Sequence, residues 1–237
     1  MRRTRVVAAA VLIVVLVGIG YVLTNDLTSS CKTANGNLLA NGGFETGDLR
    51  CWQNGGLLVP TVESTTVKDG TYAARFETTS NGDALSQCTL HALECSLLNS
   101  STISQDVSGL SLSSNSTLSI ALHPVFQYPS TFQMTLDFGL SSRQNSSDVM
   151  IYYIFHGSPG QCETYSQLLV NGSRYARAFC LSAQLGEWTV ITRTISTDIP
   201  PAIRLSDLSG SSLTLSLSFA GGNSTDTAYV DSVSIRL

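Results

Sequence analysis

Apolar and polar residues alternate over short stretches from Asn35 to the C-terminus, and Gly, Asn, Ser and Asp separate these stretches. Alternation with a period of two is typical of β-strands, and the separating residues favour turns. The clearest predicted strands run over Thr117 to Leu122, Gln133 to Phe138, Val149 to Phe155, Glu187 to Ile195, Ser212 to Phe219 and Ala228 to Leu237. Because almost no segment carries a helical stripe, we predict one all-β jelly-roll β-sandwich over residues 35–237.

The N-terminus follows another pattern. Three arginines (Arg2, Arg3 and Arg5) precede an uncharged apolar run of eighteen residues, Val6 to Leu23. A helix of that length is about 27 Å long, close to the ~30 Å hydrocarbon core of a bilayer. The positive-inside rule then places residues 1–5 in the cytoplasm. We expect a transmembrane signal anchor at 6–23 and a polar stalk at 24–34.

This arrangement predicts a single-pass protein of the cell membrane whose C-terminal domain is extracellular. A cleaved signal peptide is the alternative, with Gly18 and Gly20 as small residues near its cleavage site. Export is common to both interpretations.

The cysteines and glycosylation sequons also fit export. All six cysteines follow the apolar run, an even number suited to disulfides, and we predict the pairs Cys88–Cys95, Cys162–Cys180 and Cys31–Cys51. Cys88, His91, Glu94 and Cys95 also have zinc-ligand types, but we favour a disulfide across the loop or short helix predicted at Ala84 to Leu98. N-x-[ST] sequons predict glycosylation at Asn99, Asn115, Asn145, Asn171 and Asn223.

Charge and motifs exclude several functions. The formal net charge is −4 and only 13% of the residues are charged, so no basic field is available for nucleic acid. The chain has no G-x-S-x-G elbow, H-E-x-x-H motif or P-loop, and its histidines lie in unrelated contexts. We therefore predict a protein that is not an enzyme.

Five segments together resemble one family. They are Asn37 to Asp48 followed by Cys51-Trp52, then Asp69 to Phe76, Ile103 to Leu110, Gly186 to Val190 and Ala228 to Val233. In this order they are similar to carbohydrate-binding modules of the family 4/9 type, which are galactose-binding-domain-like jelly rolls. The resemblance implies a first strand at Asn37 to Asp48 and framework positions for Trp52 and Trp188, which we expect to be buried.

The same resemblance implies a structural calcium ion. Members of this fold often hold Ca²⁺ between a carboxylate of the F-E motif and one of the last strand, here Glu45 and Asp231. Backbone carbonyls from Lys68 to Gly70 would complete the oxygen ligands that Ca²⁺ prefers. In the alternative, Glu45 caps a turn and Asp231 is solvated.

Sugar recognition in such modules comes from aromatic rings flanked by polar groups. Alternation along Val149 to His156 separates Ile151, Tyr153 and Phe155 from Tyr152, Ile154 and His156. We predict that the second, more polar set faces solvent. The ligand candidates are Tyr152 and His156 from this set and Tyr165 and Tyr128 as further aromatic residues, each of which could instead pack in the core or in a loop.

These observations predict a membrane-anchored, non-catalytic module that recognises a cell-surface or environmental glycan or another envelope component. Carbohydrate-binding modules usually accompany a catalytic domain, and none is evident here. The alternative is a structural or adhesive protein of the cell envelope that uses the same fold to bind a protein partner.

Overall fold

The alternating segments form strands in a computed structural model. It describes residues 31, 33, 36–56, 58–79, 101–107, 111–125, 132–142, 148–156, 165–169, 174–199, 204, 206, 208–219 and 225–237. The strands are β1 (Gln53–Gly56), β2 (Thr61–Glu63), β3 (Ala73–Thr79), β4 (Ser101–Asp106), β5 (Thr117–Val125), β6 (Phe132–Ser142), β7 (Asp148–His156), β8 (Tyr165–Leu169), β9 (Arg174–Ser182), β10 (Thr189–Thr194), β11 (Leu208–Phe219) and β12 (Thr225–Arg236). One short helix, α1 (Ile195–Asp198), follows β10.

The described strands belong to two sheets. The seven-stranded sheet has the order β1-β4-β11-β6-β7-β9-β8, and the five-stranded sheet has the order β10-β5-β12-β3-β2. Strands β7 and β9 pair in parallel, whereas the other strand pairs are antiparallel. The predicted all-β class is confirmed, and the many pairings between strands distant in sequence are typical of a jelly-roll β-sandwich.

The core lies between the two sheets and is built by alternation. In β5, Leu118, Ile120 and Leu122 are buried, and in β7 Ile151, Tyr153 and Phe155 are buried. These side chains belong to one cluster with Phe44, Trp52, Phe76, Ile103, Val230 and Ile235. Trp52 is buried as predicted and stacks on Phe44 with ring centroids 5.8 Å apart.

The Asn37–Asp48 segment is not the strand that the resemblance implied. It forms turns, with a single isolated bridge between Thr33 and Ala40. Asn41 and Phe44 have positive φ angles of 51° and 58°, and Gly47 has 75°. A strand needs φ near −120° to −140°, so these residues break the extended backbone repeatedly.

The end of β10 also departs from prediction. The alternation predicted a strand from Glu187 to Ile195, but β10 ends at Thr194 and Ile195 begins α1. The Ile195 N–H still donates to Ser116 O at 2.9 Å, in the register of the β10–β5 pair, and the chain turns away after it. The turn buries Asp198, which accepts a hydrogen bond from Tyr153.

Several predictions fall outside the described residues. These are the apolar run 6–23, the stalk apart from Cys31 and Thr33, and the segment Ala84 to Leu98. Within the described part of the chain, no helix has the length and hydrophobicity needed to cross a bilayer.

Cys31 and Cys51 form the predicted disulfide. Cys180 is also disulfide-bonded. The pairs Cys88–Cys95 and Cys162–Cys180 stay predictions.

Candidate functional site

The candidate glycan site is the outer face of the seven-stranded sheet, the side turned away from the five-stranded sheet. Strand β4 defines the two sides, because Ser101, Ile103 and Gln105 are buried whereas Thr102 and Ser104 are only half-buried. In β7 the buried Tyr153 faces the core, and its half-buried neighbour Tyr152 lies on the outer side. The predicted core side of β7 is confirmed, whereas on the other side Tyr152 is half-buried and Ile154 is buried, so that side does not face solvent throughout.

Strand register aligns polar and aromatic positions in one row across this outer face. Starting from the β1 edge, the row contains Gln53, Ser104, Thr214, Asp137, Tyr152, Ala178 and Tyr165. It crosses seven strands at ~4.8 Å spacing and is thus about 29 Å long. We call it the outer row.

The outer row brings together two of the four predicted ligand residues. Tyr152 is near its centre, and Tyr165 is at the β8 edge beyond Ala178. His156 lies on the same side, at the last position of β7, in register with Ser182. Tyr128 lies outside the described residues.

The outer side near Tyr152 is partly enclosed. Ile154, two residues along β7, is 9% exposed, and Ala178 on β9 is fully buried although both occupy outer positions. Tyr152 therefore has covered neighbours on two sides and is itself only half-buried. A partly enclosed face with an aromatic ring and polar neighbours is the kind of surface that binds sugars.

A buried ionic cluster supports β7 from the core side. The Tyr153 hydroxyl donates to Asp198 Oδ2 at 2.8 Å, and Arg193 Nε donates to the same oxygen at 2.9 Å. Burial and the Asp198 carboxylate raise the pKa of Tyr153 well above its ordinary value, and Asp198 raises the pKa of Arg193. The Arg193 guanidinium also lies 4.8 Å from the Phe179 ring centroid. These contacts fix the strand that carries Tyr152.

The predicted calcium residues converge on one loop before β3. Glu45 accepts hydrogen bonds from the backbone N–H groups of Thr71 and Tyr72 at 3.0 to 3.2 Å. Asp231 Oδ2 accepts from the N–H groups of Lys68 and Asp69 at 3.0 Å. The two carboxylates therefore hold this loop through its own donors. Asp231 is buried, so the expectation that it would be solvated if it bound no metal is wrong.

Gly43 and Gly70 lie against these carboxylates. A Cβ atom at Gly43 would lie 3.7 Å from Glu45 Cγ and 3.9 Å from Asp231 Oδ1, so both side chains flank the same point. At Gly70 a Cβ would lie 2.4 Å from Glu45 Oε1, and its φ is +77°. Glycine is thus required for Glu45 to approach the loop.

Two features of this loop bear on a calcium ion, namely the state of the Asp231 carboxyl and the number of oxygen ligands. Burial raises the pKa of Asp231, which the neighbouring Asp69 carboxylate also raises, and backbone hydrogen bonds oppose both effects. Among the described residues, no cationic side chain pairs with Asp231. No described group of three or more His, Cys, Asp or Glu side chains is arranged for a metal. Lone pairs left on Glu45 and Asp231, with backbone carbonyls from Lys68 to Gly70, would have to hold the ion.

A second aromatic group was not anticipated from the sequence. Trp188 was predicted to be buried, but it is half-buried and lies outside the core cluster. Its ring centroid is 5.3 Å from that of His123, which is 5.8 Å from that of Tyr229. The G-x-W motif located Trp188 before β10, but only the pairing of β10 with β5 places it on the outside of a sheet.

Among the predicted glycosylation sites, the structure describes Asn115. It is exposed in a turn before β5, and its N–H donates to Ser113 Oγ at 3.2 Å. An exposed turn is the setting that N-glycosylation needs. Asn99, Asn145, Asn171 and Asn223 lie outside the described residues.

Comparisons with known proteins relate the chain to others through its fold. No family model matches it, and no curated protein matches its sequence. A family 28 carbohydrate-binding module specific for non-crystalline cellulose superposes with a TM-score of 0.50 at 14% identity, over 82% of this chain and 92% of that one. This similarity shows that the chain shares the β-sandwich fold of a carbohydrate-binding module.

Two further solved structures have lower TM-scores. TmCBM61, in complex with β-1,4-galactotriose, has a TM-score of 0.45 at 15% identity, over 84% of this chain and 97% of that one. A family 12 xyloglucanase from Bacillus licheniformis has 0.42 at 9% identity, over 83% and 90%.

Proposed function

We propose that this protein binds a glycan on the outer face of its seven-stranded sheet and catalyses no reaction. The observation that carries the proposal is the outer row, in which Tyr152 follows polar positions on four successive strands of a partly enclosed face. A tyrosine ring stacks on the apolar face of a sugar, and Ser, Thr, Gln and Asp side chains pair with its hydroxyls. The shared fold of the family 28 module supports the same ligand class.

The row geometry favours a glycan chain over a single sugar. Its polar positions continue across four strands from Tyr152 to Gln53 at the β1 edge, whereas on the other side the buried Ala178 separates Tyr152 from Tyr165. A ligand that follows the row would contact several strands, and each contact would add to its affinity. We therefore expect a polysaccharide or long oligosaccharide as the ligand.

The full chain should be retarded in native gels containing a polysaccharide that it binds. The solved neighbours suggest four probes: xylan, β-1,4-galactan, mixed-linked β-glucan and a soluble cellulose derivative. We expect retardation by at least one of them, with no release of reducing ends on prolonged incubation. Unchanged mobility in all four gels would argue against glycan binding, and release of reducing ends would contradict the non-catalytic role.

We further propose that residues 6–23 anchor the protein in the cell membrane, with the sandwich on the extracellular side. The apolar run and its preceding arginines support this topology. The anchored protein should stay in the membrane fraction after an alkaline carbonate wash. Release into the wash would indicate cleavage or a peripheral association.

A structural calcium ion at Glu45 and Asp231 is the third part of the proposal. The ion would neutralise a buried carboxylate and join the Asn37–Asp48 segment to β12 and to the loop before β3. Its role would be to stabilise the fold, because no residue of the outer row belongs to this loop.

A further inference from the structure

The outer face of the five-stranded sheet carries a second line of aromatic and polar side chains. His123 on β5 is in register with Tyr229 on β12, which is in register with Arg75 on β3. Trp188 directly precedes Thr189, the register partner of Leu122, and its ring contacts His123. We call these four residues the aromatic row. It crosses three strand spacings, about 14 Å.

An exposed apolar rim surrounds the Trp188 end of the aromatic row. Val190 on β10 is 57% exposed, Val125 at the end of β5 is 40% exposed, and Leu185 in the loop before β10 is 46% exposed. The Gly186 N–H donates to Pro124 O at 2.8 Å and holds that loop against β5. Grouped exposed apolar side chains mark a binding surface more often than an ordinary one.

The other end of the aromatic row is polar. Arg75 forms an ion pair with Glu77, and their side chains are 36% and 42% exposed. Two enclosed nitrogens, His123 Nδ1 and Arg75 Nε, have no hydrogen-bond partner, and Tyr229 lies between these residues. Enclosed donors and acceptors without partners are costly, so these two nitrogens are polar groups that the fold leaves unsatisfied beside Tyr229.

We propose that the aromatic row is a second glycan-binding surface, a proposal whose ligand class rests on the proposed function. Sugar hydroxyls both donate and accept, and an exposed Arg–Glu pair offers both functions beside rings on which a pyranose stacks. Arg, Tyr and Trp are also common in protein interfaces, but Glu is depleted there, and Glu77 pairs with Arg75 at the end of the row. The chemistry therefore favours a glycan over a protein.

Two surfaces on opposite outer faces make the protein bivalent. One glycan chain cannot cover both faces of a sandwich, so the protein would join two chains. On a dense polysaccharide, binding at the second surface becomes an intramolecular event once the first surface is bound. This increases the apparent affinity although neither surface binds more tightly by itself. This would suit a non-catalytic protein that holds glycan layers together.

The test measures bridging separately from binding. The probe is the polysaccharide that retards the full chain most strongly in the native gels, and bridging is followed by light scattering of protein and polysaccharide mixtures. Four variants are compared with the unmodified chain: Trp188→Ala, Trp188→Phe, Tyr152→Ala and the double variant Trp188→Ala with Tyr152→Ala. Thermal melts establish that each variant is folded, and Trp188→Phe retains an aromatic ring if alanine is not tolerated.

We expect Trp188→Ala and Tyr152→Ala each to bind with about tenfold lower affinity and to lose bridging. Trp188→Phe should retain bridging, and the double variant should show no retardation. Bridging by Trp188→Ala equal to that of the unmodified chain would overturn the second surface. Loss of all glycan binding in Tyr152→Ala alone would also overturn the second surface. It would leave the proposed function intact, because the outer row would then be the only glycan site tested that binds.

Two other outcomes separate the remaining cases. If Trp188→Ala loses binding and Tyr152→Ala does not, the aromatic row is the main site and the proposed outer-row site is wrong. If Trp188→Ala binds polysaccharide normally but loses self-association or a cross-linked protein partner, the surface binds protein and the second glycan site is rejected.

Discussion

At the scale of single residues, the Asn37–Asp48 segment owes its form to a few atoms. Asn37 Nδ2 donates to Val233 O at 2.9 Å, and Asn37 Oδ1 accepts from the N–H groups of Leu39 and Ile235. The Val233 N–H donates to Gly42 O at 2.8 Å. The N-G-x-F-E pattern therefore attaches the N-terminal turns to β12, and it does so without forming a strand.

Gly42 is the most sterically constrained residue of this segment. A Cβ atom there would lie 2.1 Å from Val233 O, a backbone atom that cannot move without shifting β12. We expect Gly42→Ala to lower the free energy of unfolding by about 3 kcal/mol, at the upper end of ordinary overpacking costs. Denaturant titration measures the change.

Gly43→Ala is the matched control for Gly42→Ala. Its Cβ would meet Glu45 and Asp231 at 3.7 and 3.9 Å, which is ordinary contact. We expect a change of less than about 1 kcal/mol. Equal effects of the two substitutions would show that the contact with Val233 does not determine the preference for glycine.

The two tryptophans show what a motif can and cannot predict. Both were assigned to the framework from the residues beside them. Trp52 enters the core because turns at Asn41 and Phe44 direct it inward, where its Nε1 donates to Asn41 O at 3.1 Å. Trp188 precedes an edge strand, and which side it takes depends on the register of β10 with β5. A one-residue slip would reverse that side, and no local pattern determines it.

At the scale of elements, β4 connects the seven-stranded sheet to the N-terminal turns through Gln105. The Ala40 N–H donates to Gln105 Oε1 at 2.8 Å, and Gln105 Nε2 donates to Ala40 O and Cys51 O at 2.9 Å. Gln105 is 8% exposed, so water does not replace these bonds. This explains the glutamine in the S-Q-x-V segment physically.

Gln105→Ala should lower the free energy of unfolding by about 2 to 4 kcal/mol, because it leaves buried backbone groups of Ala40 unpaired. Gln105→Glu keeps an acceptor for the Ala40 N–H but loses the Nε2 donor, and it buries a charge as well. We expect it to be at least as destabilising at neutral pH and to recover partly in acid. Thermal and denaturant melts of both variants check this, and stability equal to the unmodified chain in both would contradict it.

Periodicity predicted most of the long strands because alternation follows directly from one buried face. It located β5, β6, β7, β11 and β12 to within a few residues. It missed the short β1 and β2, which hold Gly55, Gly56 and exposed side chains, and it did not identify β8 or the longer β9. It also placed Ile195 in a strand, because a buried isoleucine fits the alternation whether it continues a ladder or begins a helical turn.

At the scale of the whole molecule, the candidate site depends on pairings between strands distant in sequence. Tyr152 was chosen from the alternation of a predicted strand, whereas Tyr165 was a further aromatic candidate outside the predicted strands. They share one row only because β7 pairs in parallel with β9 and β9 pairs antiparallel with β8. Four other strands contribute the polar part of the row, which includes Gln53, Ser104 and Asp137. No local sequence signal indicated these residues.

The calcium proposal predicts a stability change that depends on pH. Calcium at a hundred times its Kd would stabilise the fold by about 2.7 kcal/mol, or roughly 5 to 10 °C in Tm for a domain of this size. Asp231→Asn should abolish the increase. Asp48→Asn, at an exposed carboxylate outside the loop, should retain it. Scanning calorimetry in CaCl2 and in EDTA measures both.

Without calcium, the raised pKa of Asp231 means that the folded protein holds this proton more tightly than the unfolded chain. This contribution to stability is present in acid and is lost as the pH rises from the ordinary value of 3.8 through the raised pKa. Calcium binds the ionised carboxylate, so its stabilising effect should grow over the same range. Identical melting in CaCl2 and EDTA at every pH would reject the ion.

Glycan binding by Tyr152 on the outer face of the seven-stranded sheet is tested by comparing two tyrosine variants. The affinity of the full chain for its strongest polysaccharide probe is measured for Tyr152→Ala and for Tyr72→Ala, a half-buried tyrosine beside β3 of the other sheet. A stacked ring contributes ~1 kcal/mol beyond its buried area, and the lost area adds to that, so we predict about tenfold weaker binding by Tyr152→Ala. Tyr72→Ala should bind normally. Unchanged affinity in a folded Tyr152→Ala variant would show that Tyr152 does not contribute to glycan binding.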